Sequence, residues 1–392
     1  MDVRTLLRRR AARRPRVFPV ALPGATAVRL AAEAELRRRG LTATVTPADA
    51  DLLVVCGVPA AGDLDWLDRI AAAMPRPAAR IVVPSADRAA QLLDTGRALL
   101  EAGPAYRHPP ETAAPAASGA AGLSTAQRGD DRDGLRLDRL HLVLGPALAD
   151  WPAGLLLRLT LQGDIVQAVR ADTACATDRP ALPSDRMPFW DEPWLRAAHG
   201  DRPVTGGDLA RRRCAAHLDS VGRLLAVTGW DDTAARCRRL RDAVLSGLPG
   251  GPVRGELLAT TRRVARSRTL RWGLAGLGPL PARRARAAGV TGPALTADGD
   301  AHDRLLVWLD EIERSAAALD DPRPRPRRRT DTGPAGPRGV LDPDRPPSRA
   351  LLDVLPELLA GAEFAGARIV VASLDPDLDE LAPAPVPAAA RG

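Results

Sequence analysis

A long stretch without hydrophobic periodicity divides this chain. From Tyr106 to Gly134 the residues are mainly Pro, Ala, Gly, Ser and charged residues. Such a composition buries too little apolar surface to fold and is typical of a flexible linker. It predicts two domains, residues 1–105 and 135–392, joined by a linker at 106–134. A chain of 392 residues is long enough for two or more domains of about 150 residues each.

The region before the linker alternates short β-branched runs with Ala- and Leu-rich stretches. We expect strands at 17–20, 41–46, 52–56 and 80–83. We expect helices at 27–39 and 63–74. This alternation predicts an α/β domain with a small parallel sheet and flanking helices.

The region after the linker starts with strand-like segments and then becomes helical. We expect strands at 140–145, 155–161 and 165–169. The last two strands are joined by a hairpin turn at Gly163. The clearest helix runs from Asp303 to Leu319, where apolar residues recur at spacings of three and four, and Asp300 or Asp303 can cap it. A larger α+β, mainly helical domain is therefore expected.

The end of the chain contains a break and a final unit. Residues 322–337, which include the run PRPRPRRR, are too rich in Pro and charge for a helix or a core and predict a disordered loop. Residues 351–360 and 367–371 predict a helix followed by a strand.

The charge of the chain needs interpretation before it can suggest a partner. The formal net charge is +8, and the sequence contains no Lys, so all 56 basic residues are Arg. This bias indicates a GC-rich genome and explains the positive balance without a nucleic-acid site, so we expect no nucleic-acid partner. The basic residues 1–16 form either a solvated arm or a docking segment for a partner or anionic lipid.

Membrane and secretion signals are not found in the sequence. No apolar run approaches the roughly 18 residues of a spanning helix. No apolar h-region follows the basic start, as it would in a secretory signal. We therefore expect a cytoplasmic protein.

General catalytic and metal-binding motifs are also missing. The four cysteines lack the CxxC spacing of zinc or iron–sulfur sites and are expected to be separate reduced thiols. They are Cys56, Cys175, Cys214 and Cys237. No phosphate-binding glycine loop, HExxH or GxSxG motif is present. We expect no metal ion and no cofactor.

The first domain resembles the B-type subunit of bacterial NADH-quinone oxidoreductase (respiratory complex I). Ala50–Val83, with ADLLVVCGVP, a helix and AAAMPRPAARIVV, is similar to the strand, helix, "QMPxPK" turn and strand of that family. Phe18–Ala32 is similar to the "GLACCAVEMM" segment, whose paired cysteines ligate a [4Fe-4S] cluster in the family. Those two positions are Ala25 and Thr26 here, and neither side chain can replace a thiolate.

The second domain resembles the D-type subunit of the same complex, which is related to the large subunit of nickel-iron hydrogenases. Gly289–Leu319 is the most similar stretch, and it matches "GVTGPMLRASG" joined to "DCYDRYLVRMEEMRQSL". Seven segments follow the family order over about 235 residues. They are Leu144–Val166, Ala215–Val244, Leu248–Val253, Gly289–Leu319, Pro337–Leu341, Pro346–Gly361 and Val370–Glu380. The resemblance implies the fold that the D-type family shares with hydrogenase large subunits.

The family's quinone-binding residues are not in place. In the family a His in the "GPQHP" loop and a Tyr hydrogen-bond the quinone headgroup. The loop here contains Leu148 and Asp150 instead of a His, and the one Tyr of the chain is Tyr106 in the linker. The Glu of the family's "PRGE" is Val340, and the hydrogenase CxxC pairs are absent. We therefore assign no catalytic, cofactor-binding or metal-binding residue.

Three functions remain open at this point. The first is a fused, degenerate relative of the B-type and D-type subunits that is a non-redox structural or accessory component of a membrane-peripheral oxidoreductase complex. Its own catalysis is doubtful, its partners are other subunits, and it lies peripherally on the inner face of the cell membrane through them. The second is an active quinone-reducing or electron-relay subunit with rearranged ligands such as Cys56 and Cys175. The third is an Arg-rich nucleic-acid-binding protein.

Several polar residues have both a structural and a functional interpretation. His217 is either a packed residue of an apolar helix or faces a site. Asp303 and Arg304 open a helix and are expected to be structural. Cys56 is expected to be a small core residue. The arginines of 236–241 are expected to be mostly a solvated helix face, with partner contact as the alternative.

Overall fold

The computed structural model describes residues 13–102, 128–130, 136–173, 187–199, 203–324 and 333–381. These residues fall into two compact units. The first contains the described residues up to Ala149, together with 153–156 and Thr173, and the second contains the others. In the described part of the chain no helix is long and apolar enough to cross a membrane.

The first unit is built on a small parallel sheet, as the sequence predicts, but among the described residues this sheet has three strands instead of the four expected. Strands β1 (Val17–Ala21), β2 (Leu52–Cys56) and β3 (Ala79–Val83) lie in the order β1-β2-β3. Every residue of the central strand β2 is buried, which explains its continuous apolar sequence.

Three helices accompany this sheet. They are α1 (Thr26–Arg38), α2 (Ala61–Ala72) and α3 (Ala89–Ala102). The first two confirm the prediction, whereas α3 was missed. The strand predicted at 41–46 is wrong, because this segment forms a single bridge between Ala43 and Val17. Val45 is 68% exposed there, so its apolar side chain does not contribute to a buried face.

The first unit also contains two antiparallel strands, β4 (Arg128–Asp130) and β5 (Arg136–Leu144). Strand β4 lies inside the range expected to be linker, so that range is not free of secondary structure. The rest of the predicted linker, residues 106–127 and 131–134, lies outside the described residues.

The predicted hairpin is present, and its residues 157–172 belong to the second unit. It consists of β6 (Leu155–Gln162) and β7 (Ile165–Thr173), and Gly163 takes a positive φ of 61° in the turn. Leu155, Leu157 and Leu159 alternate with more exposed residues along β6, so one face of the hairpin is buried.

The remainder of the second unit is helical. The helices are α4 (Glu192–His199), α5 (Gly206–Val227), α6 (Asp231–Leu245), α7 (Gly250–Ala265), α8 (Arg268–Leu274), α9 (Ala282–Ala287), α10 (Gly292–Thr296), α11 (Ala301–Ala316), α12 (Pro347–Leu359) and α13 (Phe364–Leu374). The long helix α5 packs against α6, α11 and α13 and forms the centre of this unit.

The predicted cap of α11 is present as a reciprocal pair. The Asp300 carboxylate accepts hydrogen bonds from the amides of His302 and Asp303 at 2.8 and 3.2 Å. The Asp303 carboxylate accepts one from the Asp300 amide at 3.0 Å. Both predicted caps therefore act together and set the start of the helix.

Two predictions for the end of the chain need correction. The strand predicted at 367–371 is part of the helix α13. Its buried residues Ala367, Val370, Val371 and Leu374 follow the helical spacing of three and four, which the short apolar run did not reveal. Residues 325–332 of the predicted disordered loop lie outside the described residues, but 333–337 enter a turn in which the Leu341 amide donates to the Pro334 carbonyl at 2.8 Å.

Leu309 tests the core assignment of α11. Its side chain is 4% exposed, so Leu309→Ala should leave a cavity and lower the free energy of unfolding by about 2–5 kcal/mol. Arg314→Ala, on an exposed position of the same helix, should change it by no more than about 0.5 kcal/mol. Urea denaturation of the two variants measures both values. A smaller loss for Leu309→Ala than for Arg314→Ala would contradict the assignment.

Candidate functional site

Three segments that carry the resemblance to the D-type family meet in the second unit. Helix α5 supplies His217 and Ser220, the loop before α12 supplies Arg338, and the end of α13 supplies Asp375. These side chains line a cavity in which the space open to the centre of a water molecule is about 10 Å³. Such a cavity holds about one water molecule, so it is too small for an organic substrate.

A buried ion pair lines this cavity. The Arg338 guanidinium donates to the Asp375 carboxylate at 2.6 Å and to the Asp375 carbonyl oxygen, also at 2.6 Å. Burial disfavours the charged guanidinium, but the surrounding carboxylates of Asp375, Asp377 and Glu380 raise the pKa of Arg338 above its usual value. Arg338 is therefore a fixed positive charge inside the unit.

Helix α5 contributes further partners to Asp375, and α6 extends the network. The Asp375 carboxylate accepts hydrogen bonds from the Ser220 hydroxyl at 2.6 Å and from Arg223 at 3.1 Å. Arg223 also pairs with Asp219 at 3.1 Å, and Asp219 accepts a hydrogen bond from the fully buried Arg241 of α6. The expected solvated face at 236–241 is thus incorrect for Arg241, whose side chain belongs to this network.

Glycines allow the segments to come together. Gly292 has a φ of 65°, and a Cβ there would lie 2.4 Å from the Arg338 carbonyl oxygen. Gly339 has a φ of 150°, and a Cβ there would lie 2.1 Å from the Thr291 hydroxyl. Any larger residue at either position would push the Arg338 loop away from α10. This explains why the segments Gly289–Leu319 and Pro337–Leu341 have glycine at these positions.

Acidic side chains surround the other side of Arg338. Asp377 is 3.7 Å from its guanidinium, and the Glu380 carboxylate accepts a hydrogen bond from the Ser348 amide at 2.8 Å. Among the described residues, both carboxylate oxygens of Asp191, one of Asp377 and one of Glu380 are buried without a hydrogen-bond partner. The charged form of a buried carboxylate without hydrogen-bond donors is strongly disfavoured, so these side chains favour the protonated, neutral form.

The acidities of these groups follow from the same geometry. Burial, together with the Asp379 charge, raises the pKa of Asp377 to about 7. Burial also raises the pKa of Asp191 to about 6. Burial and the negative charge of Asp191 together raise the pKa of Glu380 well above its usual range. The cluster therefore changes its protonation near neutral pH.

His217 faces the cavity and stays neutral. Its side chain is 2% exposed, and its Nε2 atom has no hydrogen-bond partner among the described residues. Burial, with the positive charges of Arg213 and Arg338, lowers the pKa of His217 well below its usual value. His217 is thus a packed residue of an apolar helix whose side chain also lines this small cavity.

The positions of the family's cluster cysteines lie in the first unit. Ala25 is buried and immediately precedes α1, and Thr26 is its first residue. A Cβ built on Gly57 would lie 2.8 Å from the Ala25 methyl group, so the surrounding space is filled by hydrocarbon and backbone. Neither side chain supplies the thiolate that the family's cluster requires.

The positions of the family's quinone loop are also occupied differently. Leu148 is half-buried and has no polar side chain. Asp150 has a positive φ of 57°, and its carboxylate is engaged by Arg238 of α6. The loop therefore presents an ion-paired carboxylate where the family presents a proton donor.

The three described cysteines do not form a ligand set. Cys56, Cys214 and Cys237 are buried free thiols, and burial raises the pKa of each to about 12. Cys175 lies outside the described residues. In the described ranges no group of three or more His, Cys, Asp or Glu side chains is arranged to hold a metal ion.

Sequence reasoning missed most of this site. Asp191, Ser220, Asp375, Asp377 and Glu380 were not singled out, although three of them stand within the family-like segment Val370–Glu380. The density of acids in DPDLDE, in a chain end that is otherwise apolar, was the available signal.

The chain was compared with known proteins. No family model and no curated protein matches it. A solved structure of the membrane-bound sulfane sulfur reductase, an archaeal respiratory membrane complex, contains a chain with a TM-score of 0.44 and 16% sequence identity. The alignment covers 62% of this chain and 98% of that one.

The central ion pair should contribute strongly to stability. Arg338→Met removes the guanidinium and leaves Asp375 buried with fewer donors, so the free energy of unfolding should fall by about 3–5 kcal/mol. Arg323→Met is the matched control, because Arg323 pairs with Asp321 while its side chain is 85% exposed, and it should cost about 1 kcal/mol or less. Equal losses in urea denaturation would show that the buried pair is not central.

The acidic cluster should make stability depend on pH. The folded protein holds protons on Asp377 and Glu380 that the unfolded chain releases above about pH 4, so stability should fall as pH rises from about 5 to 7, where folded Asp377 loses its proton as well. Above about pH 6.5 the unfolded histidines are also neutral, so His217 no longer opposes this trend. Each proton contributes a slope of at most about 1.4 kcal/mol per pH unit.

Asp377→Asn should flatten this slope, and the exposed Asp353→Asn should not. Urea denaturation at several pH values measures it. Identical slopes in the wild type and Asp377→Asn would contradict proton binding by the cluster.

Proposed function

We propose that this protein is a non-redox structural or accessory subunit of a membrane-peripheral oxidoreductase complex, and a fused, degenerate relative of the B-type and D-type subunits of NADH-quinone oxidoreductase. One observation carries the proposal. The segments similar to the D-type family meet in a buried, ion-paired centre around Arg338 and Asp375 with room for about one water molecule. A centre of this kind stabilises a fold and leaves no space for a substrate.

An iron–sulfur cluster of the family type does not fit the first unit. Such a cluster requires thiolate ligands. Ala25 and Thr26 supply none, and the nearby Cys56 is a fully buried thiol with a pKa raised to about 12 by burial. A thiol held neutral in an apolar strand is a core residue, so no electron-transfer step is assigned to this unit.

A quinone headgroup does not fit the second unit in the family's way. A quinone oxygen that gains electrons needs a nearby proton donor. Leu148 has no donor, and the Asp150 carboxylate is held by Arg238. The residues that build the fold are retained while those that perform the chemistry are replaced, which favours a structural role.

The proposed partners are other subunits of an oxidoreductase complex, and the proposed location is the cytoplasmic face of the cell membrane. Both follow from the resemblance to the B-type and D-type families. The alternative of an electron-relay subunit with Cys56 and Cys175 as ligands is disfavoured by the burial of Cys56. The alternative of a nucleic-acid-binding protein has only the net charge of +8 in its favour.

Purification from native membranes tests the proposal. A tagged chain extracted with mild detergent should bring other oxidoreductase subunits with it in fixed ratio. The protein purified without oxygen should lack stoichiometric iron, acid-labile sulfide and the broad visible absorbance of iron–sulfur charge transfer.

Two results would overturn it. Stoichiometric iron with a paramagnetic signal after reduction would establish a redox subunit instead. Recovery of ribosomal or nucleic-acid-binding proteins alone would exclude the assembly.

A further inference from the structure

One short part of the second unit holds an unusual excess of positive charge. Residues 253–288 contain nine Arg and one Glu, a difference of 9 − 1 = +8, which equals the formal net charge of the whole chain. Eight of the nine arginines are exposed, namely Arg254, Arg262, Arg263, Arg266, Arg268, Arg271, Arg283 and Arg286. The helices α7, α8 and α9 and their connections therefore carry a strong local excess of positive charge.

These arginines differ from other exposed arginines of the unit. Elsewhere Arg170 pairs with Asp172 at 2.9 Å and Arg323 with Asp321 at 2.8 Å. By contrast, Arg262, Arg266, Arg268, Arg271, Arg283 and Arg286 form no ion pair with any described residue. A run of unpaired guanidinium groups is open to an anionic partner.

An apolar segment stands in the middle of this charge. Residues 272–282, WGLAGLGPLPA, contain no charged, amide or hydroxyl side chain. Leu274 and Leu280 are fully buried and anchor the segment, whereas Trp272 is 88% exposed. Ala275, Pro279 and Pro281 are exposed as well, so the outward side of the segment is apolar.

The backbone of this segment is fixed. The buried guanidinium of Arg304 donates to the Gly278 carbonyl at 2.9 Å and to the Ser373 hydroxyl at 2.8 Å. The Gly276 amide donates to the Asp300 carboxylate at 2.6 Å, and the Leu280 amide to the Gly299 carbonyl at 2.8 Å. The exposed Trp272 is thus presented next to a rigid loop.

We propose that the arginine–tryptophan surface, formed by Arg262, Arg266, Arg268, Arg271 and Trp272 with the loop 273–282, binds the anionic headgroups of a phospholipid membrane. Guanidinium groups pair with lipid phosphates, and an exposed Trp inserts at the level of the headgroups. Nucleic acid fits less well, because the outward side of 273–282 has no side chain that can hydrogen-bond a base or phosphate. The inference rests on the proposed function and extends it by giving the chain a direct contact with the membrane in addition to its partners.

Vesicle sedimentation with the purified full chain tests this proposal. The protein should bind phosphatidylcholine vesicles that contain phosphatidylglycerol, should not bind pure phosphatidylcholine vesicles, and should be released by high salt. Arg268→Gln/Arg271→Gln should lower the partition coefficient by about tenfold or more, because each of the two guanidinium groups strengthens binding to an anionic surface by several-fold. Trp272→Ala should lower it by several-fold.

A charge-matched variant and a nucleic-acid arm complete the experiment. Arg170→Gln/Arg323→Gln removes the same charge from ion-paired positions and should bind as the wild type does. All variants change exposed side chains, and equal melting temperatures would show that they fold.

Three results would overturn the proposal. The first is the absence of binding to anionic vesicles. The second is an equal loss of vesicle binding in the two double variants. The third is that the chain binds duplex DNA and not vesicles, and that Arg268→Gln/Arg271→Gln abolishes this DNA binding. All three are measured on the isolated chain. The co-purification of partner subunits, which tests the proposed function, is therefore a separate result.

Discussion

The guanidinium of Arg338 holds the second unit together at its centre. It binds both the carboxylate and the backbone carbonyl of Asp375, and Asp375 in turn receives Ser220 and Arg223 from helix α5. A buried charge is costly unless its hydrogen-bonding groups are matched, so these segments are constrained to one arrangement. The glycines at 292 and 339, the left-handed conformation of Asp375 and the polar residues of α5 are all explained by this requirement.

Under the proposed function, the buried centre and the absence of the family's ligands have one common explanation. The Gly, Pro, Leu and capping residues of the resemblance occupy structural positions, as Asp300, Gly292 and Gly339 illustrate. At the positions of the family's chemistry stand a methyl group at Ala25, an alkyl chain at Leu148 and an ion-paired carboxylate at Asp150. Fold and chemistry have therefore separated, because packing selects shape and burial whereas catalysis selects individual donor atoms.

The sequence allowed the local parts of this fold to be predicted, and the reasons are physical. Strand β2 is apolar at every position because both its faces are buried, and α11 shows its apolar stripe and cap within a few turns. Residues 367–371 were mistaken for a strand because a stretch with four apolar residues among five fits either period. The central cluster could not be predicted, since Ser220 and Asp375 are 155 residues apart and their contact depends on the packing of α5 against α13.

The hydrogen bonds from Arg304 hold the backbone of the loop 273–282 in place although side chains of the loop are exposed. Side chains exposed on a loop are normally carried by a mobile backbone, which loses conformational entropy when a partner immobilises it. Here the amides of Gly276, Leu280 and Ala282 are already hydrogen-bonded to Asp300, Gly299 and Asp298. Contact through this loop therefore requires little ordering of the backbone, and the affinity of the surface depends on its chemistry alone.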